Sequence, residues 1–204
     1  MATTISDKVT TPNTCPWPTN DPLMIEYHDN EWGFPLHDDQ KLFEFMLLDA
    51  FQAGLSWKTI LHRREGFRKA FAEFDPVKVA AFNEARIQEL MQDTSIIRNQ
   101  LKVRSAVSNA QAFLKVQEEF GTFDKYIWQF TEGKTIVSHL DGLSALPVST
   151  KESDAMSKDL KKRGFRFVGT TTCYAFMQAA GMVNDHMVYC SKYPANTGKQ
   201  LKAK

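Results

Sequence analysis

Four residues carry the two side-chain types that bind soft divalent metals best, and they stand in two pairs near opposite ends of the chain. Cys15 and His28 lie toward the N-terminus; His186 and Cys190 lie in the stretch NDHMVYC toward the C-terminus. Thiolates and neutral imidazoles are good zinc ligands, and a Cys2His2 set makes a closed, tetrahedral structural site. The His-x3-Cys spacing predicts both side chains on one face of a helical turn. The Cys15-x12-His28 interval is no standard zinc-finger spacing. Taken singly, each pair reads more simply as a surface histidine and a buried thiol. Cys173, in an apolar helix beside Tyr174 and Phe176, is an example of such a thiol. His37, His62 and His139 have no partner pattern and are expected on the surface.

A second group could hold a flat heteroaromatic ligand. Trp17, Tyr27, Trp32 and Trp57 gather in the first 57 residues, around the run DAFQAGLSW at 49–57. Rings stack on a planar base, add cation–π attraction if that base is positive, and leave the Asp49 carboxylate to accept a hydrogen bond from an exocyclic amine. The competing reading is a set of core aromatics with a capping or solvated Asp49. A third group is KKRGFRFVGTTT at 161–172. Backbone N–H groups at such a glycine-bearing turn can hold a phosphate, and Lys161, Lys162, Arg163 and Arg166 add attraction that is indifferent to sequence. An ordinary helix–turn–helix connection with solvated charges has the same appearance.

These residues must be positioned by helices. Residues 1–14 lack periodicity and are expected to form a disordered tail, and 196–204 a basic flexible one. Residues 15–37, with four prolines among the aromatics, read as irregular. Asp38 or Asp39 can cap a helix carrying Leu42 to Phe51, and Ser56 can cap the next. Phe67, Ala70, Phe71 and Phe74 follow at helical spacing, and Asp75-Pro76 opens another helix. Further helices are predicted at 84–92, near 100–119 with Gly121 as the stop, through Tyr126 to Phe130, from a Ser153 cap to Lys162, and over 170–181. Residues 131–150 read as loop. No alternating segment is sustained, so the fold class is all-α, one domain over 15–195 with about eight to ten helices.

The chain has 204 residues and a net charge of +1, which by itself gives no reason to expect a polyanionic partner. The charge is unevenly spread, however: nine acids against two lysines in residues 1–50 leave +8 on the remainder. A basic face on a neutral protein can still meet nucleic acid. No apolar run approaches the roughly 18 residues of a membrane span, and no secretory h-region opens the chain, so a cytoplasmic location with reduced cysteines is expected.

The three groups coincide with one family. DPLMIEYHDNEWG at 21–33, QAGLSWKTIL at 52–61, FDPVKVA at 74–80, SIIRNQLKVRSAVSNA at 95–110 and KKRGFRFVGTTTCYAFMQAAGMVNDH at 161–186 resemble the DNA-3-methyladenine glycosylase I family of the helix-hairpin-helix superfamily. The resemblance spans about residues 15–195. It implies one structural zinc ion on Cys15, His28, His186 and Cys190, joining the N- and C-terminal segments. It also implies a base pocket of Trp17, Tyr27, Trp32 and Trp57, with Asp49 as the catalytic, base-reading carboxylate. The turn at Gly164, Arg166, Val168, Gly169 and Thr170 is then the DNA anchor. The family commonly has Glu followed by Gly where this chain has Asp49-Ala50. Asp is one methylene shorter, so its carboxylate must approach closer or bridge through water. Phe167 also takes the place of the superfamily's first hairpin glycine.

The implied activity is excision of 3-methyladenine from double-stranded alkylated DNA by a bacterial, monomeric, monofunctional enzyme that flips the base, with free 3-methyladenine as product. Asp185, about 16 residues after Gly169, lies roughly where related glycosylases carry a catalytic Asp; the preferred expectation is a helix cap or a partner to His186, since the resemblance implies a family that manages without that acid. A glycosylase with shifted alkyl-base preference, or a non-catalytic DNA-damage-binding protein, are the alternatives.

Overall fold

A computed structural model describes residues 13–197. Of the tails expected at 1–14 and 196–204, residues 1–12 and 198–204, with Lys199, Lys202 and Lys204, lie outside the described residues. Inside that range Ser191 donates its backbone N–H to Asn13 O, and Asn196 Nδ2 bonds the carbonyls of Val188 and Cys190. The chain is mostly helical. Its helices are α1 (Pro22–Asn30), α2 (Asp39–Gln52), α3 (Trp57–Leu61), α4 (Arg64–Ala70), α5 (Pro76–Ala80), α6 (Glu84–Leu90), α7 (Gln100–Phe120), α8 (Phe123–Ile127), α9 (Lys151–Lys162), α10 (Thr170–Ala179) and α11 (Pro194–Thr197).

The helix starts follow from capping chemistry. Asp38, Ser56, Asp75, Asn83, Asn99 and Thr122 each accept a first-turn backbone N–H at the head of α2, α3, α5, α6, α7 and α8. Helix α1 corrects the expectation of an irregular 15–37 segment. Asp21 caps it, and Pro22 occupies a first-turn position, where its missing N–H costs nothing. Helix α9 starts earlier than expected: Thr150 is its cap, and Ser153 closes a reciprocal capping box as the third helical residue. The run toward Phe74 is not one helix. Helix α4 ends at Ala70, and residues 72–74 turn through positive φ before re-entering the core at buried Phe74.

The all-α expectation needs one amendment. Ile136–Val137 (β1) pairs in parallel with Val183–Asn184 (β2), with Ile136 opposite Val183, and a further bridge joins Leu140 to Met187. Two-residue strands are too short for any alternation to register in sequence. Their pairing fastens the 131–150 segment alongside the C-terminal metal-ligand stretch.

Helix α2 is the central element. Residues 42–51 are all buried, in contact with α7, α8, α10 and α3. Its two interior carboxylates are treated differently. Glu44 accepts from Arg64 Nε at 2.7 Å and Arg68 at 3.1 Å, and Arg64 also forks onto Glu31 at 2.7 and 2.8 Å. Asp49, 3% exposed, has a buried Oδ2 with no partner. The same helix therefore carries one neutralised structural acid and one orphan.

Candidate functional site

The two metal-ligand pairs converge. Cys15 precedes α1, His28 lies within it, His186 follows β2, and Cys190 ends the turn after His186; all four are buried. Their ligand atoms lie within 4.8 Å of one another. His186 Nδ1 stands 3.2 Å from His28 Nε2 and 3.7 Å from Cys15 Sγ, and Cys190 Sγ stands 3.6 Å from both histidine nitrogens. Nitrogen at about 2.0 Å and sulfur at about 2.3 Å from one centre subtend edges of this size in a tetrahedron. The donor set and spacing fit a zinc-type ion. His186 and Cys190 are joined by a tight turn closed by Cys190 N–H on Met187 O, not by the expected helical turn.

Surrounding groups hold the ligands. His28 Nδ1 meets Asp29 Oδ1 at 2.7 Å, and His186 Nε2 meets Trp32 O at 2.9 Å, so each ring presents its other nitrogen to the centre. Backbone N–H groups of Met187 and Lys192 point at Cys15 and Cys190 Sγ, each at 3.4 Å. Hydrogen bonding to Cys15, then to the histidines, holds Cys190 low, while the same contact and burial push Cys15 high. Gly33 adopts φ +81°, and a Cβ there would lie 3.1 Å from the His186 ring. Asp185 does not partner His186, nor does it cap a helix. It accepts from Tyr174 and Gln178 instead, because the chain turns its side chain toward α10. Cys173 is buried, its thiol pushed up to about 12 chiefly by desolvation, as expected of an inert cysteine. His37, His62 and His139 are exposed.

The aromatic residues build directly on this cluster. Trp17 packs edge-on against His28 at 5.4 Å and Trp32 at 5.0 Å between ring centroids, and Trp32 against His186 at 4.9 Å. Tyr27 joins Trp17 at 6.2 Å and Trp57 at 5.1 Å. They line a cavity of about 170 Å³ together with Asp49, Gln52, Leu143, Leu146, Ala175 and Gln178. That is below the roughly 300–1,000 Å³ of drug-sized sites, a size for one planar ring system. Asp49 and Gln52 share a face of α2, three residues apart. Burial pushes the Asp49 carboxyl well above the usual carboxylate range. Burial first, and then the Asp49 charge, raise the Tyr27 phenol. The indole N–H of Trp17 is buried without a partner as well. The site thus concentrates unsatisfied polar atoms between aromatic faces, an arrangement that favours a ligand able to satisfy them.

Sequence reasoning missed the wall formed by Leu143, Leu146, Ala175 and Gln178, and the supporting role of Asp29. The leucines come from the 131–150 segment, which the β1–β2 pairing and the Leu140–Met187 bridge fasten here.

The α9–α10 connection is tightly made. Gly164, at φ +93°, follows α9, with Gly164 N–H on Lys161 O and Phe165 N–H on Leu160 O, the paired bonds of a Schellman ending. Gly164 is thereby committed to stopping α9. Asn109 of α7 grips the turn from below: its Oδ1 accepts from Arg166 N at 2.8 Å and its Nδ2 donates to Arg166 O at 3.0 Å. Phe167 sits at φ +57°, a left-handed conformation usually left to glycine. Ser157 Oγ donates to the carbonyl of buried Val168. Gly169 caps α10 without a side chain, so the first-turn N–H groups keep no local acceptor. The Thr170 hydroxyl is bonded to Asp154, so only its N–H is open to an anion. The Arg166 side chain is exposed, without an ion pair among the described residues.

The chain is similar to known proteins over nearly its whole length. A profile of the family described as Methyladenine glycosylase matches residues 17–193. DNA-3-methyladenine glycosylase 1 of Escherichia coli (strain K12) is 51% identical over 182 residues, which is 89% of this chain and 97% of that protein. DNA-3-methyladenine glycosylase of Haemophilus influenzae is 47% identical over 176 residues, 86% of this chain and 95% of that protein. The solved structure of 3-methyladenine DNA glycosylase I from Staphylococcus aureus, described in terms of its recognition of 3-methyladenine, superposes with a TM-score of 0.86 at 36% identity, covering 89% of this chain and 97% of that one.

Proposed function

The chain belongs to the methyladenine glycosylase family, and from that premise we propose that it excises 3-methyladenine from alkylated DNA by drawing the base into the cavity between Trp17, Tyr27, Trp32 and Trp57, with Asp49 as the carboxyl that reads it. The activity is that of a DNA-3-methyladenine glycosylase, a hydrolase of N-glycosyl bonds. The observation that carries the residue assignment is the orphan Asp49: an acid buried in the central helix, without a counter-ion, aimed at an aromatic cavity.

The chemistry asks little of the protein beyond positioning. A base alkylated at N3 is cationic and leaves neutral, so its glycosidic bond breaks without protonation by the enzyme. The bonding electron pair goes to the base, the sugar passes through an oxocarbenium-like state, and water adds at C1′ and gives up a proton to solvent, leaving an abasic site. Aromatic faces bind the cation better than neutral adenine. Burial raises the Asp49 pKa, and a cationic base beside the carboxyl favours its charged form, so the pocket is most favourable for the damaged base. Lys102 is the one lysine among the described residues with a lowered pKa, from desolvation. Its ammonium is spent on the carbonyls of Phe51 and Ala53 at the end of α2. It does not line the cavity, which favours a monofunctional enzyme without lyase chemistry.

Zinc at Cys15, His28, His186 and Cys190 would act as a structural tie between the chain ends; the Cys2His2 donors and their tetrahedral spacing support that reading. The α9–α10 turn would meet the duplex backbone through Arg166 and the N–H groups of Gly169 and Thr170, with Gly164 and Val168 shaping the turn. Arg166→Ala is therefore expected to weaken duplex binding regardless of sequence and to lessen the salt dependence by about one counterion, with free-base binding unchanged. Titration of an abasic-site duplex at several salt concentrations measures both; an unchanged slope removes Arg166 from the interface. For the whole reading, methylated duplex DNA should release 3-methyladenine but not 7-methylguanine, as resolved by chromatography of the freed bases. Absence of released 3-methyladenine would refute it.

A further inference from the structure

One wall of the base cavity is supported from behind by a buried acid and a tyrosine. Gln178, on the last turn of α10, faces the cavity and donates Nε2 to Asp185 Oδ2 at 2.7 Å. The same oxygen accepts from Tyr174 OH at 2.6 Å. Asp185 is fully buried and does not line the cavity. An amide can turn either its NH2 or its carbonyl toward a neighbour, but this carboxylate oxygen takes only donors. Asp185 therefore fixes which end of the Gln178 amide faces it, and the Tyr174 hydroxyl fixes Asp185. The end left over is Oε1, which has no hydrogen-bond partner among the described residues.

We infer that Gln178 is a base-reading residue: its Oε1, held in one orientation by Asp185, accepts from the exocyclic amine of the flipped base and so makes the pocket prefer methyladenine to methylguanine. This rests on the cavity being the base pocket. Adenine carries an amine where guanine carries a carbonyl oxygen. The Asp49 carboxyl, with no partner on its Oδ2, has nothing to lock it and can turn toward whichever donor the base offers. Gln178 cannot, because rotating its amide would set its carbonyl against Asp185. A locked acceptor facing a carbonyl leaves two acceptors unpaired in a site shielded from water, a stronger rejection than a change of shape alone. Asp185, and Tyr174 behind it, are on this view positioning residues that never touch the substrate.

The test is Gln178→Leu, which keeps bulk and removes the acceptor, with Gln178→Met as an unbranched second variant should the first fail to fold. Single-turnover release of 3-methyladenine and 3-methylguanine is measured on the same methylated duplex. The expected result is an about ten-fold fall for 3-methyladenine with 3-methylguanine release held or raised, so that the ratio between them shifts by about ten-fold. A merely structural role would lower both alike and leave the ratio where it was; an unchanged ratio in a folded variant overturns the inference. Asp49→Asn in the same assay separates the two levels. Loss of excision in Asp49→Asn beside an unmoved ratio in Gln178→Leu rejects the Gln178 role alone, whereas indifference to both substitutions rejects the base pocket.

Discussion

Asp49→Asn is expected to slow excision of 3-methyladenine by about a hundred-fold while raising the melting temperature of the enzyme. Both effects come from one fact: Asp49 sits in the central helix, 3% exposed, with a buried oxygen that nothing satisfies. Desolvation lifts its pKa in the folded chain above the unfolded value. A carboxyl shifted in this direction leaves stability untouched below its unfolded pKa, about 4. Its contribution turns unfavourable as pH rises from there and levels off only above the folded-state pKa. Asparagine has the same shape and no ionisation, so the variant should show a flatter dependence of melting temperature on pH and should melt higher at neutral pH. The loss of rate follows because asparagine cannot become an anion beside the cationic base. A charge-assisted hydrogen bond in a water-poor site is worth roughly 1.5–3 kcal/mol, and its loss from the transition state lowers the rate by one to two orders of magnitude. Thermal melts between about pH 4 and about pH 8, with single-turnover excision at each pH, read out both effects. A lower melting temperature with a normal excision rate would make Asp49 a structural acid like Glu44.

The contrast with Glu44 shows where the sequence stops being legible. Glu44 and Asp49 lie five residues apart in the same apolar helix, and no local feature separates them. The difference is that α4 brings Arg64 and Arg68 to Glu44 and brings nothing to Asp49. Tertiary placement alone tells the neutralised acid from the available one. The caps at Asp38, Ser56 and Asp75 were readable because capping is a local event, whereas Ser153 was mistaken for the cap of α9 because it is the other half of the capping box that Thr150 opens. Helix α1 opens on the same Asp-Pro signal, Asp21-Pro22, but the prolines and aromatics on either side of it masked that start. The aromatic pocket and the four metal ligands were readable as residue types, and the family resemblance joined them. The Leu143–Leu146 wall and the Asp185–Gln178 contact were not, since each depends on pairings that leave no periodic trace.

Cys190→Ser is expected to abolish stoichiometric zinc, to lower the melting temperature by about 10 °C or more, and to weaken binding of free 3-methyladenine in the molecules that are still folded. The first two effects follow from the tie itself. Cys15 and His186 lie 171 residues apart, and the cluster joins the two segments that carry them. An ion bound by the folded chain alone adds its binding free energy to folding, and in a chain of this size each lost kcal/mol lowers the melting temperature by roughly 2–4 °C. The third effect follows from the pocket's construction. Trp17 rests on His28, and Trp32 rests on His186, so two of the four rings are braced by ligand imidazoles. Trp57 is braced elsewhere: its neighbours Lys58 and His62 are held by Asp21 at 2.9 and 2.8 Å. Loss of the ion should therefore loosen one side of the cavity and spare the other, weakening affinity without unmaking the site. Metal analysis, thermal melts and free-base titration on the same sample distinguish these steps, with Cys173→Ala as the control that removes a buried thiol and keeps the metal. Retained zinc in Cys190→Ser, or zinc lost with the melting temperature unmoved, would contradict the structural tie. Zinc lost with the base affinity intact would mean that the Trp17 and Trp32 rings are held by their mutual packing and not by the ligands beneath them.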